Sequence, residues 1–404
     1  MSEIIKIPEG WESVELEKLL EYEQPTKYLV TKANYHDSFK TPVLTAGKTF
    51  ILGYTDEKYG IFNHELPVII FDDFTTASKF VNFPFKAKSS AMKMLKIKDK
   101  TIDIKIVYEL MQKLNFKPEE HKRHWISTYS KLKINLPKKE KEQQKISEIL
   151  SEVDNAISKT EELFEKNKRI KTSLVQDLLN YGVDENGKVR NPQTHIFKPS
   201  ELGDIPVEWD SKVLKQVCKV RQGLQIAIKQ RFKESGENRY VYITVQYLNN
   251  KESNEEFIQS PDEDLICNKD DILFTRTGNT GQIITGVHGV FHNNFFRVDI
   301  YKDILEKDFM VYFLNYEVTQ QKIKDLASTT TIPDLKHSDF YSLSIKFPKS
   351  KNEQQKITQI LSSQDEKIEV IKNKLNKLKL LKTSLMQDLL SGKVRVTKLM
   401  EENS

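Results

Sequence analysis

Two long segments of this chain carry apolar residues at steps that alternate between three and four positions. Such heptad spacing predicts a long helix with one apolar seam, because residues at those steps share a helix face. Neither Pro nor Gly interrupts the segments before Gly182 and Gly392, where glycine suits a helix end. The positions that we expect to pack the two helices together are Ile146, Leu150, Ile157, Leu174 and Leu178 in the first segment, and Ile357, Leu361, Ile368, Leu385 and Leu389 in the second.

The two segments are copies of one sequence. Residues 142–183 align with residues 353–394 at a constant offset of 211 positions, and about half of the aligned residues are identical. About 40 helical residues span roughly 60 Å. The apolar seam must be buried against another part of the protein, and we expect the helix formed by the other copy to bury it. These residues alone predict a structural stalk, so the function must come from the parts that the stalk separates.

Short apolar stretches with β-branched and aromatic residues precede the first copy, and turn residues lie between them. This pattern predicts short strands. A helix is expected over about 103–114, beginning at Asp103, and a last strand over 131–137. The predicted earlier strands are Pro42–Ala46, Phe50–Tyr54, Leu66–Phe71, Phe80–Phe85 and Ala91–Ile97.

A polar, turn-rich linker at 184–204 is followed by a second block that repeats the frame of the first. IPVEW at 205–209 echoes IPEGW at 7–11, and FPKSKNEQQKI at the end of the block echoes LPKKEKEQQKI. Between these frames the two blocks share almost no identity. A similar frame with dissimilar contents suits two modules on one scaffold that recognise different things.

Charge and cysteine content narrow the possibilities only slightly. Lys and Arg number 63 against 58 Asp and Glu, a net charge of +5 that does not by itself indicate a nucleic-acid partner. Two cysteines, Cys218 and Cys267, are too few for a disulfide framework, so a reducing, cytoplasmic setting is expected. We expect neither a signal peptide nor a membrane span, since no apolar run approaches roughly 18 residues.

The frame motifs, taken together, resemble the specificity subunit of type I restriction–modification systems. They are IPEGW and ELGDIPVEW at the block starts, LP or FP followed by EQQKI at the block ends, and LLKTSLMQDLLSGKV at the end of the second helix. The resemblance covers essentially the whole chain. It implies a first target recognition domain at 1–140, a spacer helix at 141–183, a linker at 184–204, a second target recognition domain at 205–350, a second spacer helix at 351–394 and a tail at 395–404.

The resemblance also implies a fold class and a function. The fold is expected to be α+β, with two mixed α/β domains separated by two long helices that pack as an antiparallel coiled coil, in a pseudo-two-fold internal repeat. Each domain would recognise one half of a bipartite site on double-stranded DNA, with the helices setting the gap. The implied partners are two methyltransferase subunits, which carry the S-adenosylmethionine chemistry, and translocase-nuclease subunits. This chain would bind no cofactor.

The strongest candidate for DNA contact is a Gly-rich loop, TRTGNTGQ at 275–282, in the second block. Arg can recognise guanine and Asn can recognise adenine through paired hydrogen bonds, and loop amides can meet phosphate. Each candidate outside this loop could equally be a solvated surface residue. The candidates in this block are Arg221, Gln222, Lys229, Arg231, Thr275, Arg276, Thr277, Asn279, Thr280, Asn293, Asn294, Arg297, Thr330 and Lys336.

In the first block, basic and hydroxyl residues alternate with aromatic residues, a mixture that suits a DNA-facing surface. The alternative is that the aromatic residues Phe80, Phe83 and Phe85 belong to the core, which the composition favours. The candidates here are Thr45, Lys48, Tyr54, Thr75, Thr76, Lys79, Lys86, Lys88 and Arg123.

Motifs for catalysis are incomplete. TAGKT at 45–49 lacks the first glycine of a phosphate loop, because position 42 is Pro. Asp72–Asp73 and Asp270–Asp271 are better explained as turns than as metal ligands, and His121 and His124 lack further zinc ligands. We therefore expect neither catalytic residues nor a metal site.

Two other function classes remain open from the residues. One is a non-catalytic scaffold whose coiled coil joins two protein-binding modules. The other is the recognition part of a fused methyltransferase-nuclease, which the length and the missing motifs disfavour. Salt-sensitive binding to a split duplex site distinguishes a DNA-specificity subunit from a scaffold.

Overall fold

The structure is a computed structural model that describes residues 7–32, 34–47, 49–119, 122–250, 255–327 and 333–397. The chain divides into two compact units. The first combines Met1–Glu162 with Asn373–Ser404, and the second is Leu163–Lys372. Each unit therefore contains one block and a stretch of both long helices.

The first unit contains the elements that the short apolar stretches predict, together with the first half of one long helix, as far as Glu162, and the end of the other. Short 3-10 turns lie at Pro25–Tyr28 and Tyr129–Lys131. In chain order the strands and helices are β1 (Trp11–Glu15), α1 (Leu16–Leu19), β2 (Leu20–Glu23), β3 (Thr41–Leu44), β4 (Ile51–Thr55), β5 (Val68–Asp72), β6 (Ser78–Val81), β7 (Lys86–Ala87), β8 (Met92–Ile97), α2 (Ile104–Gln112), β9 (Lys133–Pro137) and α3 (Glu140–Tyr181).

Two sheets form the body of this block, one in the order β2-β8-β5-β6 and one in the order β4-β3-β7. The side chain of Asp103 accepts a hydrogen bond from the Lys105 amide and so caps α2 at the predicted position. The predicted strand Phe80–Phe85 is too long, because β6 ends at Val81. Phe85 is nevertheless fully buried, which confirms the core alternative for this side chain.

The second unit follows the same plan with more strands. Short 3-10 turns lie at Leu214–Gln216, Ile228–Gln230 and Glu263–Leu265. Its strands and helices are β10 (Phe197–Lys198), β11 (Ile205–Pro206), β12 (Trp209–Val213), β13 (Cys218–Gln222), β14 (Arg239–Ile243), α4 (Val245–Asn249), β15 (Phe257–Gln259), β16 (Ile266–Cys267), β17 (Ile272–Thr275), β18 (Ile283–Ile284), β19 (Gly289–Phe291), β20 (Phe295–Ile300), α5 (Lys307–Asn315), α6 (Glu317–Ala327), α7 (His337–Ser342), β21 (Ser344–Pro348) and α8 (Lys351–Leu389).

Two four-stranded sheets form the body of this second block, in the orders β13-β20-β17-β18 and β15-β14-β19-β16. In the first of them β20 is antiparallel to both β13 and β17. The carboxyl ends of β13 and β17 therefore lie beside the start of β20, at one edge of the sheet. This edge positions the candidate DNA-contacting loop.

The repeated frame motifs form a pair of matching two-stranded sheets, one in each unit. Trp11 pairs with Pro137 in the β1–β9 sheet, and Trp209 pairs with Pro348 in the β12–β21 sheet. Both pairings are antiparallel and bring the start of a block to its end. The frame motifs that the two blocks share in sequence therefore form the same structure in both, a two-stranded sheet that joins the first strand of the block to its last.

In the first unit the long helices run antiparallel. Asp154 of α3 accepts from Lys382 of α8 at 2.6 Å, and Glu161, farther along α3, accepts from the earlier Lys379 at 2.7 Å. Ile146, Leu150 and Leu389 are buried in the core of the block. Ile157 and Leu385 are half-buried.

The helix stretches of the second unit pack in the same way. Lys171 pairs with Asp365 at 2.5 Å, which is the repeat of the Lys382–Asp154 pair at the offset of 211 residues. Leu178, Ile357 and Leu361 are buried against the core of the second block, and Leu174 and Ile368 are half-buried. The antiparallel coiled coil predicted for the two helices is confirmed.

Candidate nucleic-acid interface

The candidate loop of the second block begins where β17 ends, and hydrogen bonds fix its backbone. The Arg276 amide donates to the Asn294 carbonyl at 2.8 Å, and the Arg276 carbonyl accepts from the Leu335 amide at 2.9 Å. The Thr280 hydroxyl also donates to the Arg276 carbonyl. Gly278 lies at the turn with a φ of +85°, and a Cβ atom there would meet open space.

The side chain of Arg276 makes contacts on two sides. Its Nε and Nη2 donate to the two carboxylate oxygens of Asp334 at 2.9 and 2.7 Å, and its Nη1 donates to Gln222 Oε1 at 3.1 Å. Thr277 donates to the same carboxylate at 2.7 Å. Hydrogen bonds from Arg276 lower the pKa of Asp334, with Thr277 adding to this effect and burial opposing it.

The structure brings candidate residues from three separate stretches of the second block together at this edge of the sheet. Gln222 ends β13 and donates through Nε2 to the Asn293 carbonyl. Asn293 donates in turn to Gln225 Oε1 at 3.2 Å. Gln222, Arg276, Asn293 and Asn294 thus lie next to one another, although they are up to about 70 residues apart in the sequence.

Within the loop the candidates differ in exposure. Asn279 is exposed, and Thr277 and Thr280 are half-buried. Thr275 is fully buried, and its hydroxyl donates to the Asn279 carbonyl at 2.5 Å and accepts from the Gln282 amide at 2.8 Å. Thr275 therefore shapes the loop from inside, whereas Asn279 faces outward.

The other basic candidates of the second block are mostly paired with acidic side chains. Arg221 pairs with Asp264, Arg231 with Glu256 at 2.9 Å, and Arg297 with Asp299 at 2.7 Å. Lys229 and Lys336 are exposed. Lys336 lies immediately before α7, beside the Asp334–Arg276 pair.

Arg231 lies against an aromatic group that sequence analysis did not single out. Its guanidinium is 4.9 Å from the centroid of Tyr242, whose ring is 5.7 Å from that of His292. Burial lowers the pKa of His292, and the nearby Arg231 charge lowers it further. The Nδ1 atom of His292 accepts a hydrogen bond from the Asn294 amide at 3.0 Å, which connects this ring to the Arg276 group.

In the first unit one candidate group surrounds the β5–β6 turn. Thr75 is exposed, and its amide and hydroxyl both donate to Asp72 Oδ1, at 2.8 and 3.0 Å. Thr76 follows with a φ of +58°. Arg123 is exposed, with its guanidinium 5.8 Å from the centroid of the Phe74 ring. Lys79, on β6, is half-buried.

A second group in this unit lies on the β4-β3-β7 sheet. Lys88 is exposed, and its Nζ donates to the hydroxyl of Tyr35 at 3.2 Å. The Lys88 amide donates to the Leu44 carbonyl, next to the half-buried Thr45. Tyr54, also half-buried, accepts a backbone hydrogen bond from His36, close to Tyr35. This group and the Thr75 group therefore lie on different sheets.

One basic candidate, Lys86, lies inside the protein. It is 2% exposed, and its Nζ is 2.8 Å from a Glu57 carboxylate oxygen and 2.7 Å from the Tyr59 carbonyl oxygen. A lysine that is buried in such an ion pair stabilises the fold of the block, and its ammonium does not reach the surface in this structure. Two further candidates, Lys48 and Thr330, lie outside the described residues.

Asp334, Tyr35 and Tyr242 belong to these groups, and sequence analysis missed them. Asp334 follows the Thr-rich stretch before Lys336, and an acidic residue is an unusual choice at a DNA-binding surface. The position of Asp334 in the sequence, among hydroxyl and basic candidates, could have indicated that it pairs with one of them. Only the fold brings it to Arg276, which lies 58 residues earlier.

Among the described residues, one cluster could offer ligands to a metal ion: Glu23, His64 and Glu65, whose ligand atoms lie within 4.8 Å of one another. The ammonium of Lys96 is 2.7 Å from Glu65 and 3.4 Å from Glu23. A cationic side chain therefore already balances this cluster. None of the described helices is long and apolar enough to span a membrane.

A comparison with protein families gives a match over most of the chain. The sequence model described as the type I restriction modification DNA specificity domain matches twice, at residues 8–171 and 206–380. The chain belongs to this family. Each match starts at a frame motif and extends into a long helix, so the two specificity-domain matches coincide with the internal repeat.

Relatives of this specificity-domain chain include proteins from bacteria and archaea. The specificity subunit of the type I restriction enzyme EcoR124I/EcoR124II from Escherichia coli is 48% identical over 176 residues, which are 40% of this chain and 43% of that relative. This match therefore spans less than half of the relative's length. The MjaVIII specificity subunit from Methanocaldococcus jannaschii is 24% identical over 98% of this chain and 95% of its own.

The fold of the specificity-domain chain is similar to that of a solved structure. The crystal structure of the type I restriction-modification S subunit from M. genitalium matches with a TM-score of 0.65 and covers 96% of this chain and 97% of its own. At 18% sequence identity this likeness shows the fold alone. The predicted α+β arrangement with two long paired helices is confirmed.

Proposed function

We propose that this chain is the DNA specificity subunit of a type I restriction–modification complex, and that each block recognises one half of a bipartite site on double-stranded DNA. The observation that carries the proposal is the double match of the specificity-domain family, with each match ending in its own long helix. One chain with two specificity domains suits a site with two halves.

The dissimilar contents of the two blocks support different half-site sequences. In the second block the candidate base contacts gather at one edge of a sheet, around Arg276 and Asn293. In the first block the exposed candidates Thr75, Lys88 and Arg123 lie on other elements. Different donors on different elements would select different bases.

The paired helices would set the gap between the half-sites. Their length is fixed by the hydrogen-bond ladder of the helix, so the separation would change only when residues are added or removed. Half-sites that are recognised from one face of a duplex lie about one helical turn, roughly 10 bp, apart. The same helices would dock two methyltransferase subunits, with the repeated KTSL-x-QDLL ends as part of the docking surface.

The chemistry would belong to the partners. S-adenosylmethionine would bind in the methyltransferase subunits, and translocase-nuclease subunits would join when the complex cleaves DNA. This chain would act without catalysis and without a cofactor of its own, in the cytoplasm where the chromosome lies. The names of the E. coli and M. jannaschii relatives, both specificity subunits of type I restriction enzymes, support the place of this chain in a restriction–modification complex.

A whole-genome methylation map tests the proposal. Cells that express this chain with its methyltransferase subunits should methylate adenines in a single motif of two defined halves and a fixed gap. Cells that express the methyltransferase subunits alone are the control and should lack that motif. If the complete assembly methylates no bipartite motif and binds duplex DNA without selectivity, the scaffold alternative replaces this proposal.

A further inference from the structure

Arg276 is held more firmly than contact with DNA backbone would require. An arginine guanidinium has five N–H donors. Asp334 accepts from Nε and from Nη2, and Gln222 accepts from Nη1. Among the described residues, these contacts leave one donor on each terminal nitrogen. Two donors on neighbouring nitrogens are what a bidentate contact with guanine O6 and N7 needs.

The two residues that hold the guanidinium are themselves fixed. Asp334 also accepts from the Thr277 hydroxyl, and its neighbour Leu335 donates its amide to the Arg276 carbonyl. Gln222 donates its Nε2 to the Asn293 carbonyl, which leaves its Oε1 directed to Arg276. The Arg276 side chain remains 26% exposed, so the guanidinium still reaches the surface. A partly exposed arginine with this many contacts is preorganised, and preorganisation favours selective contacts.

A purely mechanical role for the Arg276–Asp334 pair explains fewer of these contacts. The loop is already fastened to the segment 333–335 by the Leu335 amide, by Thr277, and by the Thr280 hydroxyl, whose single proton is shared between the Arg276 and Pro333 carbonyls at 2.9 and 3.0 Å. These bonds would hold the loop without a guanidinium. The Gln222 contact adds nothing to that attachment, but it does fix the orientation of Nη1.

The charges favour a base over a phosphate as the ligand. The Asp334 carboxylate neutralises Arg276 locally, and it would repel a phosphate that approached the same guanidinium. The edge of a guanine base is uncharged and carries two acceptors in the major groove. A carboxylate that holds an arginine in place therefore suits base recognition.

We propose that Asp334 and Gln222 are positioning residues that hold Arg276 for bidentate recognition of a guanine in the half-site bound by the second block. The inference rests on the proposed function and extends it by naming one base and the residues that select it. Arg276 makes the contact, and Asp334 and Gln222 act through it.

The test compares methylation motifs of the full chain assembled with its methyltransferase subunits. The variants are Asp334→Asn, Gln222→Ala, Arg276→Lys and, as a control, Asp270→Asn. Asp270→Asn removes the same charge from an exposed position of the same block. Circular dichroism and thermal unfolding of each assembly establish that the variants fold.

We expect the wild-type motif to contain a guanine in one half-site. Arg276→Lys keeps the positive charge but loses the paired donors. Asp334→Asn keeps the size of the side chain but loses the carboxylate that pairs with the Arg276 guanidinium. Both should reduce the preference at that guanine by about tenfold or more, since a bidentate contact contributes discrimination of that order. Gln222→Ala should relax the same position less strongly. The other half-site and the Asp270→Asn motif should stay unchanged.

Three outcomes would overturn the inference. The first is an unchanged motif in folded Arg276→Lys and Asp334→Asn assemblies. The second is that these folded variants lose recognition of the whole half-site, and the third is a wild-type half-site without a G·C pair. If Asp334→Asn fails to fold, Gln222→Ala decides, because an unchanged preference in that variant also overturns it. If the wild-type assembly methylates no bipartite motif, the proposed function itself fails. That result is distinct from the outcomes above, in which the proposed function stands and only the role of Arg276 is refuted.

Discussion

Arg190, which follows the first long helix, forms a bidentate ion pair with Glu353 at the start of the second. Nη2 donates to Oε2 at 2.9 Å, Nη1 donates to Oε1, and the two side chains are only 7% and 10% exposed. Oε1 also accepts from the indole of Trp209 at 3.0 Å. In the other unit Arg395, which follows the second helix, also forms a bidentate pair, with Glu142 at the start of the first, and donates through Nε and Nη2. The repeat therefore includes the contacts that close each helix pair.

The substitution Glu353→Gln should destabilise the second unit by about 3–5 kcal/mol, because it leaves the Arg190 charge buried without its partner. Glu142→Gln is the matched variant in the first unit. It should cost less, since the Arg395 side chain is 31% exposed and water can solvate its charge. Urea unfolding followed by tryptophan fluorescence measures both. Equal losses in the two variants would contradict the burial argument.

The fold could be predicted from the sequence where one pattern repeats over many residues. The heptad seam predicted both long helices, and the burial of Leu150, Leu178 and Leu361 agrees with it. The middle of the seam is less buried than the pattern suggests, as Ile157 shows, because a helix pair without a third layer cannot cover its seam. The buried Asn167 interrupts the seam for a reason that the pattern does not show, since its side-chain Oδ1 accepts a hydrogen bond from Gln364 Nε2 at 3.2 Å.

The candidate site was less predictable, because it depends on contacts between distant residues. The loop around Arg276 could be found from its own composition. Asp334 could not, since its relation to Arg276 exists only after β17 and the segment before α7 come together. Lys86 shows the converse. Its basic and aromatic neighbours suggested a surface, whereas Glu57, 29 residues earlier, holds it inside.

The Glu57–Lys86 pair predicts a pH dependence of stability in the first unit. Burial alone would raise the pKa of Glu57, but hydrogen bonds from Lys86, from the Lys32 amide and from Thr31 outweigh it and lower the pKa from 4.5 to about 2. Because the folded-state pKa is depressed, the stabilisation is fully present above about pH 4.5 and is lost as the pH falls through about 2.

The variant Glu57→Gln isolates this contribution. At neutral pH it should lose about 3 kcal/mol of stability, because Lys86 then stays buried without a counter-charge. The difference from wild type should shrink steadily as the pH is lowered below about 4.5. Denaturant midpoints at several pH values measure it, with Glu12→Gln on the exposed face of β1 as the control. A difference that stays constant down to about pH 3 would refute the assignment.

Lys336 predicts a contribution to affinity without selectivity. It is exposed beside the Arg276 cluster, and we expect its ammonium to contact a phosphate. Lys336→Ala should weaken duplex binding to all sequences alike and reduce the slope of log K against log salt by about 1. The methylation motif should not change. Lys215→Ala, at an exposed 3-10 turn, is the matched control and should leave the slope unaltered. A changed motif in Lys336→Ala would instead assign this residue to base recognition.

The spacing role of the helices predicts the effect of lengthening them. Seven residues inserted after Glu162 in α3, and seven after Lys372 in α8, add about two turns at the boundaries of the two compact units. Because both helices gain a heptad, their seams stay in register. The added length is about 10 Å, so the gap of the methylated motif should lengthen by about 3 bp while both half-sites keep their sequences. An insertion in one helix alone is the control. It shifts one seam against the other and should abolish methylation. If the double insertion methylates the original motif with its original gap, the helices do not set the spacing.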